Sequence, residues 1–138
     1  MLNKELLQSK LDLIMKYYQE LKVLLDKPLE TVKNDTMRYY AVERVFQLLV
    51  DEIIDVNTAL IKQSGFELPE DYQSTFDVLA QNKILLQSFA LRLAPCVGLR
   101  NRLVHRYEEI DKDKALQMIY KEKEDFVEYV KLIQKRLN

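Results

Sequence analysis

Glycine, proline and cysteine are scarce in this chain: its 138 residues include 2 glycines, 3 prolines and 1 cysteine, and tryptophan is absent. So little glycine and proline excludes a turn-rich β-sandwich or barrel and a glycine-rich phosphate-binding loop. The lone cysteine, Cys96, can form neither a disulfide framework nor a cysteine-based zinc site, and it suits a reducing compartment. We therefore expect an all-α protein in the cytoplasm, with residues 1–138 as a single domain.

The chain carries no large excess of either charge, because 21 basic side chains nearly balance 22 acidic ones. This excludes a nucleic-acid-binding protein that holds its partner through its overall positive field, so any site for a polyanion must be local. Long apolar runs are also missing. The most apolar stretch, residues 84–99, falls short of the roughly 20 residues that a helix needs to cross a membrane. The N-terminal residues alternate charge with leucine, unlike a secretory signal peptide, and we expect no membrane partner.

Apolar residues at alternating steps of three and four predict amphipathic helices in the first half of the chain. The first helix ends near Lys27-Pro28, because proline disfavours helical backbone at the residue before it. A linker is expected from there to Asn34. A second, long helix begins at Asp35, a suitable N-cap, and stops at Gly65. The predicted buried stripes are Leu7, Leu11, Ile14, Tyr18, Leu21 and Leu25 in the first helix, and Val42, Val45, Leu49, Ile53, Val56 and Leu60 in the second.

The middle of the chain contains more breaks. A loop around Pro69 leads to a short helix from Tyr72 to Ala80. A longer helix is expected from Lys83 to Tyr107. Pro95 and Gly98 inside it predict either a kink or two helices that meet there.

The last helix is predicted to begin at Asp111, a good N-cap. Lys123 interrupts its apolar stripe. Up to five helices with short connections predict an antiparallel helical bundle of four to five helices. The stripe of the last helix consists of Leu116, Ile119, Phe126, Val130, Ile133 and Leu137.

An acid-free interval is the sharpest anomaly in the sequence. No aspartate or glutamate occurs between Asp77 and Glu108, although 22 of the 138 residues are acidic. Guanidinium groups bind phosphate through two parallel hydrogen bonds, so the interval is a candidate phosphate-binding surface. Alternatively, its arginines pair with carboxylates of neighbouring helices. The interval contains Lys83, Arg92, Arg100, Arg102, His105, which is the chain's only histidine, and Arg106.

The segment from Arg100 to Tyr107 combines arginines with that histidine. On a helix, Asn101 and His105 share one face, where the amide can orient the imidazole. Arg100 lies roughly 140° from His105 around the axis, so only its long side chain can reach the same cleft. A neutral imidazole can accept a proton near neutral pH. A lone histidine is otherwise more often a hydrogen-bonded packing residue.

The same segment resembles the signature of the HEPN superfamily, an arginine followed by a polar residue and, after four to six intervening residues, a histidine. Its extended form, Arg-x4-His-x-Tyr, is similar to the HepT branch and is met here by Arg100, His105 and Tyr107. The resemblance also covers the second helix and the middle loop of HepT-like proteins, through residues 38–44, residues 51–55, Pro69, Tyr72 and Phe76.

The resemblance implies a small toxin of a toxin–antitoxin module, acting as a ribonuclease on RNA rather than DNA, with no metal and no cofactor. It implies a homodimer whose composite cleft uses Arg100 and His105 of both copies as catalytic residues. Asn101 has a supporting role. The implied antitoxin is an MntA-like nucleotidyltransferase that transfers AMP to the motif tyrosine, here Tyr107.

The chemistry of such a cleft is coherent. His105 can take the proton of a ribose 2′-hydroxyl while Arg100 stabilises charge on the phosphate oxygens, and the partner subunit's His105 can protonate the leaving 5′-oxygen. Arg102 and Arg106 are expected to position the RNA backbone. The alternative is a non-catalytic helical module whose basic cleft only binds RNA, a nucleotide or a nucleotidyltransferase partner.

For two further groups of residues the sequence allows two interpretations, and for a third group it predicts no site. A polar seam on the second helix either supports the motif helix or forms ordinary surface ion pairs: Arg38, Arg44, Asp51 and Asp55. Four tyrosines either stack on bases or, as is more usual at helical spacing, pack: Tyr17, Tyr18, Tyr39 and Tyr40. Acidic residues of the last helix lie among lysines without a histidine beside them, so no metal site is expected at Glu122, Glu124 and Asp125.

Overall fold

The computed structural model describes residues 3–105 and 109–138. Within these residues the chain is helical and contains no strand, which confirms the prediction of an all-α bundle. A short helix in place of the expected linker raises the number of helices, in the described ranges, to six. They are α1 (Lys4–Leu24), α2 (Leu29–Asn34), α3 (Thr36–Gln63), α4 (Thr75–Gln81), α5 (Gln87–His105) and α6 (Lys112–Leu137).

Capping residues set the starts of the three longest helices. The side chain of Asn3 accepts a hydrogen bond from the backbone N–H of Leu6 at the start of α1. Asp35 does the same for α3, and Asp111 for α6, so both N-caps expected from the sequence are confirmed. Gly65 follows the end of α3 with φ of +78°, a conformation that glycine adopts without a Cβ clash.

The expected linker before Asn34 is instead helix α2. Pro28 precedes its first turn, where the missing N–H of proline costs nothing. Val32 is the single buried residue of α2 and anchors it to the bundle. A helix of 6 residues with one buried position shows no periodicity that sequence analysis can detect.

Helix α5 passes through Pro95 without dividing into two helices, so that alternative is wrong. Pro95 removes the hydrogen bond to the carbonyl of Leu91, but both residues are exposed, and water can satisfy that carbonyl. The helix begins at Gln87, later than expected, because Lys83 has φ of +59° and belongs to the preceding turn. The expected end at Tyr107 lies outside the described residues.

Helix α1 packs against α3 and α6, and α5 packs against α3, α4 and α6. Helices α3 and α6 meet through the rings of Phe46 and Phe126, whose centroids are 6.2 Å apart. The predicted stripes are buried in this core, except that Val45 and Val130 are only half-buried. Cys96 lies in the core at 3% exposure, and burial raises the pKa of its thiol to about 12. No helix in the described part of the chain is both long and apolar enough to cross a membrane.

Candidate active site

The last described turn of α5 carries the arginine–histidine motif. Leu99 and Leu103, exposed by 1% and 5%, anchor this turn in the core. Their burial turns the residues between and after them outward. Arg100 and Asn101 are half-buried, whereas Arg102 and His105 are exposed. Arg106 and Tyr107, the other two predicted site residues, lie outside the described residues.

Arg100 is fixed by the neighbouring helix α3. Its Nε donates to Asp51 Oδ1 at 2.6 Å, and its Nη1 donates to Asn101 Oδ1 at 3.0 Å. The two charged side chains are 19% and 33% exposed, so water screens the pair less than it would a fully exposed ion pair. Charge-assisted hydrogen bonds are about twice as strong as neutral ones. For Asp51, the interpretation that it supports the motif helix is therefore confirmed.

Asn101 contacts the arginine of the motif through its side-chain oxygen. We expected this amide to orient His105, and that role stays a prediction. His105 itself is exposed, so the interpretation as a packing histidine is wrong.

A cleft of about 650 Å³ opens between the end of α5, residues 109–111 and the first turns of α6. Asn101, Arg102 and His105 line it from α5, and Lys114 lines it from α6. The structure thus brings three of the predicted site residues to one cavity, whereas the Arg100 guanidinium reaches toward Asp51. Lys114 was not among the site residues predicted from the sequence. The spacing of Asp111, Lys114 and Met118 could have indicated it, because these positions share one face of a helix that begins soon after the motif.

The alternative in which arginines of the acid-free interval pair with carboxylates is correct for two of them. Arg100 pairs with Asp51, and Arg92 donates to both oxygens of Asp125 on α6 at 3.3 and 3.4 Å. Arg102 is exposed at the cleft. The acid-free interval therefore contributes both ion pairs between helices and a local cation.

The rest of the seam on α3 serves other helices. Asp55 accepts a hydrogen bond from Lys10 of α1 at 2.9 Å, and this bond is the main cause of the raised pKa of Lys10. Arg38 donates to the backbone oxygen of Leu24 at 2.9 Å, which ties α3 to the end of α1. For Asp55 and Arg38, ordinary pairing between helices is thus the correct interpretation. Arg44 is exposed.

Three of the four tyrosines pack, as the commoner interpretation expected. Tyr18 is buried and donates to Glu124, and Tyr39 is buried beneath the ammonium group of Lys112, 4.8 Å from the ring centre. Tyr17 is half-buried and packs against the core, whereas Tyr40 is 53% exposed. Across residues 3–105 and 109–138, the structure contains no group of three or more His, Cys, Asp or Glu side chains that could hold a metal ion.

Comparison with known proteins links this geometry to a family. The family model described as ribonuclease HepT-like matches residues 14–133. The tRNA nuclease HepT of Aphanizomenon flos-aquae is 28% identical over 128 residues, 93% of this chain and 87% of that protein. The mRNA nuclease HepT of Shewanella oneidensis is 30% identical over 87 residues, 63% of this chain and 65% of that protein.

A solved structure shares the fold. The tri-AMPylated HEPN toxin of Shewanella oneidensis, in complex with an MNT antitoxin, superposes with a TM-score of 0.87 at 24% identity, over 98% of this chain and 99% of that one. The prediction of a HEPN-like helical bundle is thereby confirmed. Since the family model spans most of the chain, the chain belongs to the ribonuclease HepT-like family, as the motif that begins at Arg100 indicates.

Proposed function

We propose that this protein is a metal-independent ribonuclease toxin of a HEPN–nucleotidyltransferase toxin–antitoxin module, and that two copies form a composite cleft for RNA. The main support is the placement of an exposed His105 at a cleft beside Arg102, within the same turn that holds Arg100 against Asp51. The nuclease names of both HepT relatives agree with this activity.

The proposed reaction begins at the ribose 2′-hydroxyl. His105 takes the hydroxyl proton, and the 2′-oxygen attacks the adjacent phosphorus. Arg100 stabilises the negative charge that develops on the phosphate oxygens. Two of the five guanidinium N–H groups bind Asp51 and Asn101, which orients the remaining donors and leaves them for phosphate.

The second copy completes the reaction. The partner subunit's His105 donates a proton to the 5′-oxygen as the P–O bond breaks, which yields a 2′,3′-cyclic phosphate and a 5′-hydroxyl end. A single histidine per chain thereby supplies both the base and the acid. Arg102 and Arg106 hold the neighbouring phosphates, which makes RNA binding sensitive to salt.

The proposed inhibitor is an MntA-like nucleotidyltransferase that adds AMP to Tyr107. That tyrosine follows His105 by two positions in the sequence. Anionic phosphates attached there would compete with RNA for the arginines of the cleft. The AMPylated Shewanella oneidensis toxin in complex with its MNT antitoxin supports this regulation.

Substitution of His105 tests the proposal directly. Wild type and His105→Ala are incubated with total RNA in the presence of a chelator, with Lys131→Ala as an exposed control on α6. Loss of a positioned general base lowers the rate by about 10² to 10⁴. We expect cleavage by wild type and the control, and nearly none by His105→Ala at an unchanged circular dichroism spectrum.

Two results would contradict the ribonuclease mechanism. Full activity of His105→Ala would exclude this histidine as the base. RNA binding by wild type without any cleavage would instead support the non-catalytic binding module.

A further inference from the structure

The cleft beside His105 has an apolar floor, which phosphate binding alone does not require. Leu99 of α5 and Ala115 of α6, exposed by 1% and 5%, form its buried part. Met118, one turn further along α6, is half-buried and also lines the cleft. A phosphodiester is anionic and strongly hydrated, so it gains nothing from such a floor. The floor suits a flat apolar group, which is stabilised when it is transferred from water to an apolar surface.

A cation stands on each side of this floor, Arg102 on α5 and Lys114 on α6. His105 also lines the cleft from α5, and Glu109 and Asp111 line it from the segment between the two helices. Lys114 forms no ion pair with a carboxylate of the described residues, in contrast to Lys33, which contacts Asp113 at 3.0 Å. The Asp111 carboxylate at the same rim accepts a hydrogen bond from the backbone N–H of residue 114, so one of its oxygens already has a partner.

An apolar floor between cations matches the chemistry of a nucleotide, whose base is flat and whose phosphates are anionic. The cavity volume of about 650 Å³ falls within the roughly 300–1,000 Å³ of small-molecule sites, which combine apolar walls with a few polar groups. Methionine is suited to such a contact, because its polarisable thioether interacts favourably with aromatic rings.

We infer that the cleft receives one unstacked base of the RNA strand next to the scissile phosphate, with Met118 against the base and Lys114 on a flanking phosphate. This inference rests on the proposed ribonuclease function and adds a base-binding subsite formed by α6. It makes Met118 and Lys114 substrate-binding residues.

Methyl NMR of Met118 provides the direct test. The chain has 4 methionines, and Met15 and Met37 lie on α1 and α3, away from the cleft, as internal references. The first probe is a 2′-O-methyl RNA pentanucleotide, which binds but lacks the attacking hydroxyl. The second is an abasic strand with the same phosphates. We expect the base-bearing strand to shift the Met118 methyl signal upfield, and the abasic strand to leave it nearly unchanged.

Substitutions separate the base contact from the phosphate contact. Met118→Ala is expected to weaken binding of the base-bearing strand by about two- to tenfold and to leave binding of the abasic strand unchanged. Lys114→Ala should weaken binding of both strands and reduce the slope of log affinity against log salt concentration by about one. Lys131→Ala, exposed on the same helix, should change neither.

Different experimental results would contradict the subsite and the ribonuclease proposal. Equal Met118 shifts with both strands, or saturated binding without a shift, would overturn the subsite while the cleavage assay with His105→Ala still stood. Base-dependent shifts in a protein that cleaves no RNA would support the subsite and overturn the catalytic proposal.

Discussion

The contact between Arg100 and Asp51 determines which N–H donors of the Arg100 guanidinium remain available for another partner. A side chain tethered at Nε and Nη1 loses less conformational entropy when it binds phosphate than one that points freely into solvent. In the proposed mechanism, Asp51 therefore acts through Arg100, as a positioning residue. Asp55 lies one turn later on the same helix but pairs with Lys10, which makes it a matched control.

We expect Asp51→Asn to lower kcat for RNA cleavage by roughly 10- to 100-fold, because loss of the charged acceptor misplaces Arg100. KM should change much less, and Asp55→Asn should leave kcat near the wild-type value. Partial recovery of kcat in Asp51→Glu would separate positioning from a purely structural role. An unchanged kcat in Asp51→Asn, measured on protein with wild-type thermal stability, would contradict this role.

The motif residues could be predicted from the sequence, but their partners could not. The acid-free interval is visible as an uneven distribution of charge along the chain, and within it the resemblance to the HEPN signature pointed to Arg100 and His105. The 2.6 Å contact to Asp51 joins residues 49 positions apart, and no local pattern encodes that distance. The role of Lys114 depends in the same way on how α6 meets α5.

At the scale of helices, the contact between α5 and α6 contains a buried carboxyl group. Glu122 of α6 is 8% exposed, and burial, assisted by a hydrogen bond with Asp125, raises its pKa to about 6. Burial opposes ionisation of Asp125 as well, but hydrogen bonds from Glu122 and Arg92 lower its pKa overall. The two carboxyl groups therefore affect stability in different pH ranges.

The raised pKa of Glu122 determines how its contribution to stability changes with pH. The folded state holds its proton up to about pH 6, whereas the unfolded chain releases it near the ordinary value of 4.5. The stabilisation is complete below that ordinary value and is lost as the pH rises through 6. We expect Glu122→Gln to raise the free energy of unfolding by about 1 to 2 kcal/mol at pH 8 and to have little effect at pH 4.5.

Thermal unfolding at the two pH values measures this difference. Glu128→Gln, an exposed change on the same helix, is the control and should alter stability equally at both. A stabilisation by Glu122→Gln that is the same at pH 4.5 and pH 8 would show that Glu122 does not titrate with a raised pKa.

The prediction of helices succeeded where a stripe spans several turns and failed where it does not. Helices α1, α3 and α6 have 21, 28 and 26 residues, enough for periodicity to define the buried face. Helix α2 has Val32 as its single buried residue, which is too little for a periodic pattern. Pro95 looked like a helix break because a sequence does not reveal that its turn faces water.

At the scale of the whole molecule, a buried polar chain joins three helices. The Tyr129 hydroxyl of α6 donates to Asn57 Oδ1 of α3, and Asn57 Nδ2 donates to Thr75 Oγ1 of α4 at 3.0 Å. All three side chains are at most 2% exposed. Thr75 in turn donates to the backbone oxygen of Tyr72 at 2.6 Å, so each group has a partner and the network fixes α4 in the bundle.

Tyr129→Phe removes one hydroxyl and leaves the Asn57 oxygen buried without that donor. We expect a loss of about 1 to 3 kcal/mol in the free energy of unfolding, measured with urea. Tyr17→Phe, at a half-buried position on α1, should cost much less. A loss no larger than that of the control would mean that water replaces the missing hydroxyl.

The burial of Cys96 has a practical consequence. Thiol reagents attack the thiolate, and a side chain exposed by 3% with a pKa of about 12 forms almost none at neutral pH. Thiol-reactive spin labels will therefore leave Cys96 of the native chain almost unmodified. A cysteine placed at an exposed position such as Val104 would take up the label selectively, and dipolar spectroscopy would then measure the distance between the two α5 helices of the proposed homodimer.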